Sequence, residues 1–70
     1  MTQRHIRMEH HTGYSLIREI TTDMVIGVAT WEDTSGMFIA TVMVNLEAIR
    51  IDGETITEVC AEAERLVAEQ

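Results

Sequence analysis

Seventy residues with 46% apolar content, no proline and a formal charge of −7 make a short acidic chain, neither disordered in composition nor suited to grip a phosphate backbone. A chain of this size buries only roughly 60% of the surface that its unfolded form exposes, so one copy is marginal without a disulfide, a metal or a partner chain. Cys60 is the only cysteine, which excludes an intrachain disulfide and points to self-association as the stabilising device.

The charge is unevenly distributed. All five basic residues are arginine, and Arg4, Arg7 and Arg18 stand against Glu9 in residues 1–18, a charge of +2. Residues 19–70 carry Arg50 and Arg65 against eleven acids, a charge of −9. Such a body repels nucleic acid and suits a basic protein partner, because opposite charge speeds encounter. No apolar run approaches the ~20 residues that span a bilayer, and the N-terminus lacks the apolar core of a signal peptide. A cytoplasmic protein without membrane contact is expected.

Residues 1–12 are polar apart from the initial Met1 and the two isolated positions Ile6 and Met8. They read as a weakly ordered basic arm, with the alternation of Ile6 and Met8 leaving a short strand open. A single domain is expected over 13–70. Tyr14, Leu16, Arg18 and Ile20 alternate with Ser15, Ile17 and Glu19, the pattern of a strand, and Thr21-Thr22-Asp23 breaks it with turn chemistry. Met24–Trp31 and Met37–Val44 are β-prone runs separated by Glu32-Asp33-Thr34-Ser35-Gly36, the strongest hairpin signal in the chain. Gly27 inside the first run predicts a bulge or a close backbone approach. After Asn45 a brief edge strand is expected over Ala48–Ile51, and Asp52-Gly53 turns the chain.

The last segment predicts a helix. Thr55 and Glu58 fit a capping box, and Ile56, Val59, Cys60, Ala63, Leu66 and Val67 form one apolar stripe at helical spacing. The expected architecture is α+β: an antiparallel three- to four-stranded sheet in the order β-β-β-(β)-α, with one C-terminal helix packed on one face. Neither run of the central hairpin has a polar side, so one helix leaves an apolar sheet face without cover. A second copy of the chain is the expected cover, as a dimer or tetramer. Met24, Ile26, Val28, Met37, Ile39 and Met43 are the candidate interface residues.

Catalytic chemistry is not indicated. His5, His10 and His11 are the only cluster resembling metal ligands, but adjacent residues on a strand point to opposite faces and the spacing lacks a structural-zinc pattern. No metal or other cofactor is expected, and the three histidines read as part of a solvated arm. Cys60 falls in the helix stripe and reads as core. Glu32 and Asp33 belong to a turn, with nothing apolar beside them to shift a pKa. Tyr14, Trp31 and Phe38 do not sit among basic residues, as a nucleotide-stacking platform requires.

From Val25 onward the chain resembles the HicB-type antitoxin domain. Residues 31–40, Trp-Glu-Asp-Thr-Ser-Gly-Met-Phe-Ile-Ala, are similar to that family's first hairpin. Residues 52–63, Asp-Gly-Glu-Thr-Ile-Thr-Glu-Val-Cys-Ala-Glu-Ala, are similar to its helix entry. The chain departs from the family pattern at Val44-Asn45-Leu46-Glu47, where the family carries a proline-rich stretch, and in the additional strand at Tyr14–Ile20. The resemblance implies a partial ribonuclease-H-like fold without catalytic acids, oligomeric and bound to a small basic toxin. The expected function is therefore that of a non-enzymatic protein-binding module, antitoxin-like or inhibitory, acting as a homo-oligomer. Two alternatives stand beside it: an acidic, phage-encoded mimic of nucleic acid that blocks a DNA-binding enzyme, and a small-ligand-binding oligomer with its pocket at the subunit interface near Trp31.

Overall fold

The structure, a computed structural model, describes residues 5–68. Five strands, β1 (Ile6–His11), β2 (Tyr14–Glu19), β3 (Val25–Glu32), β4 (Met37–Val44) and β5 (Glu47–Gly53), are followed by one helix, α1 (Ile56–Ala68). The strands form a single antiparallel sheet in sequential order, each hydrogen-bonded to the next. The α+β class and the C-terminal helix are as expected, with one strand more. That strand is β1: residues 6–11 pair with β2 from Ile6 opposite Glu19 to His11 opposite Tyr14. Of the expected arm, residues 1–4 lie outside the described residues. The rest is ordered because Ile6 and Met8 gain burial against the core while the strand completes its ladder with β2.

Tight turns hold the meander together. Gly36 takes φ +68° in the β3–β4 hairpin and its N–H donates to the Glu32 carbonyl at 2.9 Å. At the β4–β5 hairpin only Asn45 and Leu46 separate Val44 from its partner Glu47. Both have positive φ, 51° and 66°, which a two-residue type I′ turn demands. Asparagine tolerates this conformation. Leucine does not, and Leu46 is 96% exposed, so no packing compensates its strain. Asn45 breaks the strand as expected, and the strand that follows it, β5, is longer than Ala48–Ile51.

The register between β2 and β3 slips between Ile17 and Arg18, which face Gly27 and Val25, so Ile26 is the extra residue of a bulge. Gly27 shows why glycine stands there: a Cβ would meet the Thr41 carbonyl oxygen at 2.5 Å.

One face of the sheet carries Ile6, Ile17, Ala29, Ala40, Val42, Val44 and Ile51, and α1 lays Val59, Ala63 and Val67 against it. The alternate face is built from Leu16, Val28, Ile39 and Met43 among bulky neighbours. The helix takes the face with the small residues, because Ala29, Ala40 and Gly53 leave a trough deep enough for it. At Gly53 a Cβ would come within 2.9 Å of Val59 Cγ2, so the helix approaches the sheet almost to contact there. The cap is as expected in one half: the Glu58 N–H donates to Thr55 Oγ1 at 3.2 Å. In the other half Glu58 Oε2 reaches one residue further back than expected and accepts from the Glu54 N–H at 2.9 Å. Along the helix Arg65 holds the Glu62 carboxylate in an ion pair, which keeps that carboxyl below its usual range.

Two substitutions test this account. Leu46→Gly removes the left-handed strain and is expected to stabilise the fold by about 1 kcal/mol, raising Tm by roughly 4–8 °C in a thermal melt. Gly27→Ala drives a methyl into the β4 backbone and is expected to cost about 1–3 kcal/mol by urea unfolding.

Candidate functional site: an apolar sheet face framed by ion pairs

The sheet face opposite the helix is covered by no other element among the described residues. Its pattern follows from the register. One row across the sheet reads Glu9, Leu16, Val28, Thr41 and Arg50. A neighbouring row places Ile39 between Thr30 and Asp52. The centre of the face is thus apolar along β2, β3 and β4, and the charges lie at its two margins. Val28 and Met43 are 40% and 47% exposed here, and Leu16, Met37 and Ile39 are half-buried among them.

Of the six residues named from sequence, Val28, Met37, Ile39 and Met43 share this face. Ile26 does not. The bulge turns it toward the helix side, where it packs against the buried cluster. Met24 lies in the turn before β3, 64% exposed, with its carbonyl accepting the Glu19 N–H at 3.0 Å. Sequence reading did not name Leu16, Tyr14 or Val25 for this face. The alternation of β2 contained the signal for the first two, but not which of its two faces the helix would cover.

The margins are closed ion-pair networks. On the β1 side the Arg18 Nε–H donates to Glu9 Oε1 at 3.0 Å, and His11 Nε2 donates to Glu9 Oε2 at 2.6 Å. Arg18 also donates to the Asp23 carbonyl at 2.9 Å, and Arg7 to the Asp23 carboxylate at 3.0 Å. On the β5 side the Arg50 Nε–H donates to Asp52 Oδ1 at 2.9 Å. Hydrogen bonds from His11 and from Arg18 hold the Glu9 carboxyl at about 2, well below the ordinary carboxylate range. Three of the four described arginines therefore sit on or beside this face, each matched by an acid. The outer side of α1 and its entry carry Glu54, Glu58, Glu62 and Glu64 against Arg65. The molecule keeps its excess negative charge on the helix side and leaves the open sheet face close to neutral.

A second concavity lies at one end of the sheet. The β2–β3 ladder begins with Ser15 opposite Ala29, so Thr30–Glu32 run on past the tip of the β1–β2 hairpin. The resulting cleft, about 220 Å³, is lined by His10, Tyr14, Ser15, Trp31 and Phe38 among others. Trp31 meets Phe38 edge-to-face at 4.9 Å and donates its indole N–H to Asp33 Oδ1 at 2.8 Å. His11 stacks on Tyr14 at 5.0 Å, while His10 shares a 2.8 Å hydrogen bond with Ser15 Oγ.

The histidines are dispersed. His10 and His11 point to opposite faces, and His5 pairs with Glu64 at 3.4 Å. Among the described residues no three His, Cys, Asp or Glu side chains converge as metal ligands. Cys60 is half-buried against the core, and burial followed by the nearby Glu64 charge pushes its thiol pKa up, away from reactive thiolate. No helix among the described residues is long and apolar enough to cross a membrane. Comparison of the chain with protein-family models, with curated proteins and with solved structures found no match.

The Glu9 network sets a pH dependence. Its carboxyl is depressed in the folded chain, so its contribution to stability is complete above the unfolded value near 4.5 and is lost as pH falls from there through about 2. Glu9→Gln is expected to lower the urea midpoint at pH 7, and the gap between variant and parent is expected to close by pH 2.

Proposed function

We propose that the chain is a non-catalytic protein-binding module that works as a homo-oligomer, pairing through the open sheet face and presenting its acidic helix side to a partner. One observation carries this reading: the charge is segregated. A chain of net charge −7 resists meeting its own copy, yet the apolar stripe of Leu16, Val28, Ile39 and Met43 is framed by internally neutralised pairs. Two such faces come together without net repulsion, and an apolar centre with a polar rim is the composition of a protein interface. The acids left outward on α1 then suit a small basic protein. The succession β3–β4–β5–α1 supports the HicB-like antitoxin reading, which implies a cytoplasmic setting.

The alternatives are less well supported. A nucleic-acid mimic needs one free stripe of carboxylates. Here Glu58 caps the helix, Glu62 is held by Arg65 and Glu64 lies on the other flank beside His5. The small-ligand reading draws on the cleft beside Trp31, where a ligand stacking on the half-exposed indole would shift its fluorescence. That cleft belongs to one chain and needs no oligomer.

Sedimentation or light scattering at micromolar concentration is expected to show a dimer or larger assembly. Val28→Asp places a charge at the centre of the stripe and is expected to yield a monomer with unchanged far-UV circular dichroism. A parent chain that is monomeric under these conditions would overturn the self-association.

A further inference from the structure

The strand β5 is an edge of the sheet, and its backbone can be divided by face. Its hairpin with β4 closes through the two-residue turn Asn45-Leu46, so Val44 and Glu47 form a hydrogen-bonded pair. Bonded and non-bonded pairs then alternate, and Ile49, Ile51 and Gly53 bond inward to β4. Ala48, Arg50 and Asp52 direct their N–H and C=O groups outward, away from the sheet. Such a row is a template for another strand. No proline or bulge on β5 blunts it.

The surroundings of this edge have a definite chemistry. Between β5 and α1 runs a groove of about 450 Å³, lined by Ile49, Ile51, Leu66, Asp52, Glu58 and Glu62, with Arg50 at its rim. Its floor is apolar and its walls are acidic. Arg50 is already matched by Asp52 and Glu62 is held by Arg65, which leaves Glu58 on the helix wall and Glu47 and Glu54 at the two ends of the strand as the excess. The opposite edge, β1, has mixed charge: Arg7, Glu9, His10 and His11.

We propose that the β5 edge and its groove take an extended basic segment of a partner protein as a sixth strand. Main-chain hydrogen bonds to Ala48, Arg50 and Asp52 would supply the pairing. Apolar residues at alternate positions would fill the groove over Ile49, Ile51 and Leu66, and lysine or arginine between them would meet Glu58, Glu62 and Glu47. A second copy of this chain is the wrong occupant, because antiparallel β5–β5 pairing would bring the Glu47, Glu54, Glu58 and Glu62 carboxylates of both copies to one seam. The proposal rests on the protein-binding reading above and names where that partner docks.

The test titrates the isotope-labelled full chain with a capped peptide of alternating lysine and valine, followed by NMR. The amide signals of Ala48, Arg50 and Asp52 are expected to shift and their hydrogen exchange to slow, while a glutamate–valine peptide leaves them unmoved. Ala48→Pro removes one outward N–H without touching the β4 ladder and is expected to weaken binding by roughly tenfold. Glu58→Gln with Glu62→Gln is expected to weaken it by about threefold to tenfold and to flatten its salt dependence. If Ala48→Pro does not fold, peptides N-methylated on one edge or the other replace it, and only methylation of the edge facing β5 should abolish binding. Shifts confined to the helix, or methylation effects that are equal on both edges, would overturn the proposal. So would an oligomer that Ala48→Pro dissolves, which would assign the edge to a second copy. Light scattering on the same samples separates the two readings: a monomer whose β5 amides respond removes the oligomer alone, and an oligomer whose β5 amides stay silent removes the docking edge alone.

Discussion

The close approach of α1 to the sheet is the constraint on which the rest of this molecule depends. Among the described residues one thirteen-residue helix is the only element available to cover a five-stranded sheet, and a helix can cover only one side. Val59, Ala63 and Val67 reach the sheet because Gly53, Ala40 and Ala29 leave the trough open. The same glycine and alanines place the bulkier Leu16, Met37, Ile39 and Met43 on the opposite side. The uncovered apolar face is therefore not an accident of composition. It is the complement of the choice that makes the core.

Charge follows the same division. The acids that the described residues carry in excess are gathered on the helix and at the ends of β5, while Arg7, Arg18 and Arg50 lie on or beside the open face, where each is met by a carboxylate. Exposed pairs of this kind contribute little to the stability of a single domain. Their effect lies in the field they remove. A face with its charges closed on themselves can be brought against another protein surface at small electrostatic cost, and a helix side with acids in excess of its one arginine attracts a basic one. Two surfaces of different character on so small a chain are the physical content of the proposed binding role.

Local geometry shows where the fold accepts strain. Leu46 in the left-handed region, fully in solvent, is an expensive way to close a hairpin that glycine closes freely. The bulge at Ile26 costs a ladder position but lets Gly27 lie against the β4 backbone and carries the isoleucine into the core. Glu19 and Ser15 are buried polar residues on the covered face, and each has a hydrogen-bond partner: Thr22 Oγ1 donates to Glu19 at 2.8 Å, and Ser15 shares its bond with His10. Their burial is tolerated because those bonds are made.

By itself the sequence determined the elements that local chemistry dictates. The hairpin around Gly36, the helix from the Thr55 cap with its stripe from Ile56 to Val67, and the α+β class all follow from spacing and turn residues. So did the presence of an apolar face that one helix could not cover. The tertiary structure decided what spacing cannot carry. Whether Ile6–His11 is an arm or a strand depends on an edge for it to pair with, which only the folded sheet supplies. Whether the Leu16 or the Ile17 face of β2 is buried depends on which side the helix approaches, and small residues on three neighbouring strands settle that jointly. Ile26 left its expected face because one bulge reverses the alternation on which every two-residue pattern relies. The sorting of charge into a neutral sheet face and an acidic helix side is likewise a property of strand order, since the Glu9–Arg18 pair and the Arg50–Asp52 pair are distant from each other in the chain and become one frame only when the sheet is complete.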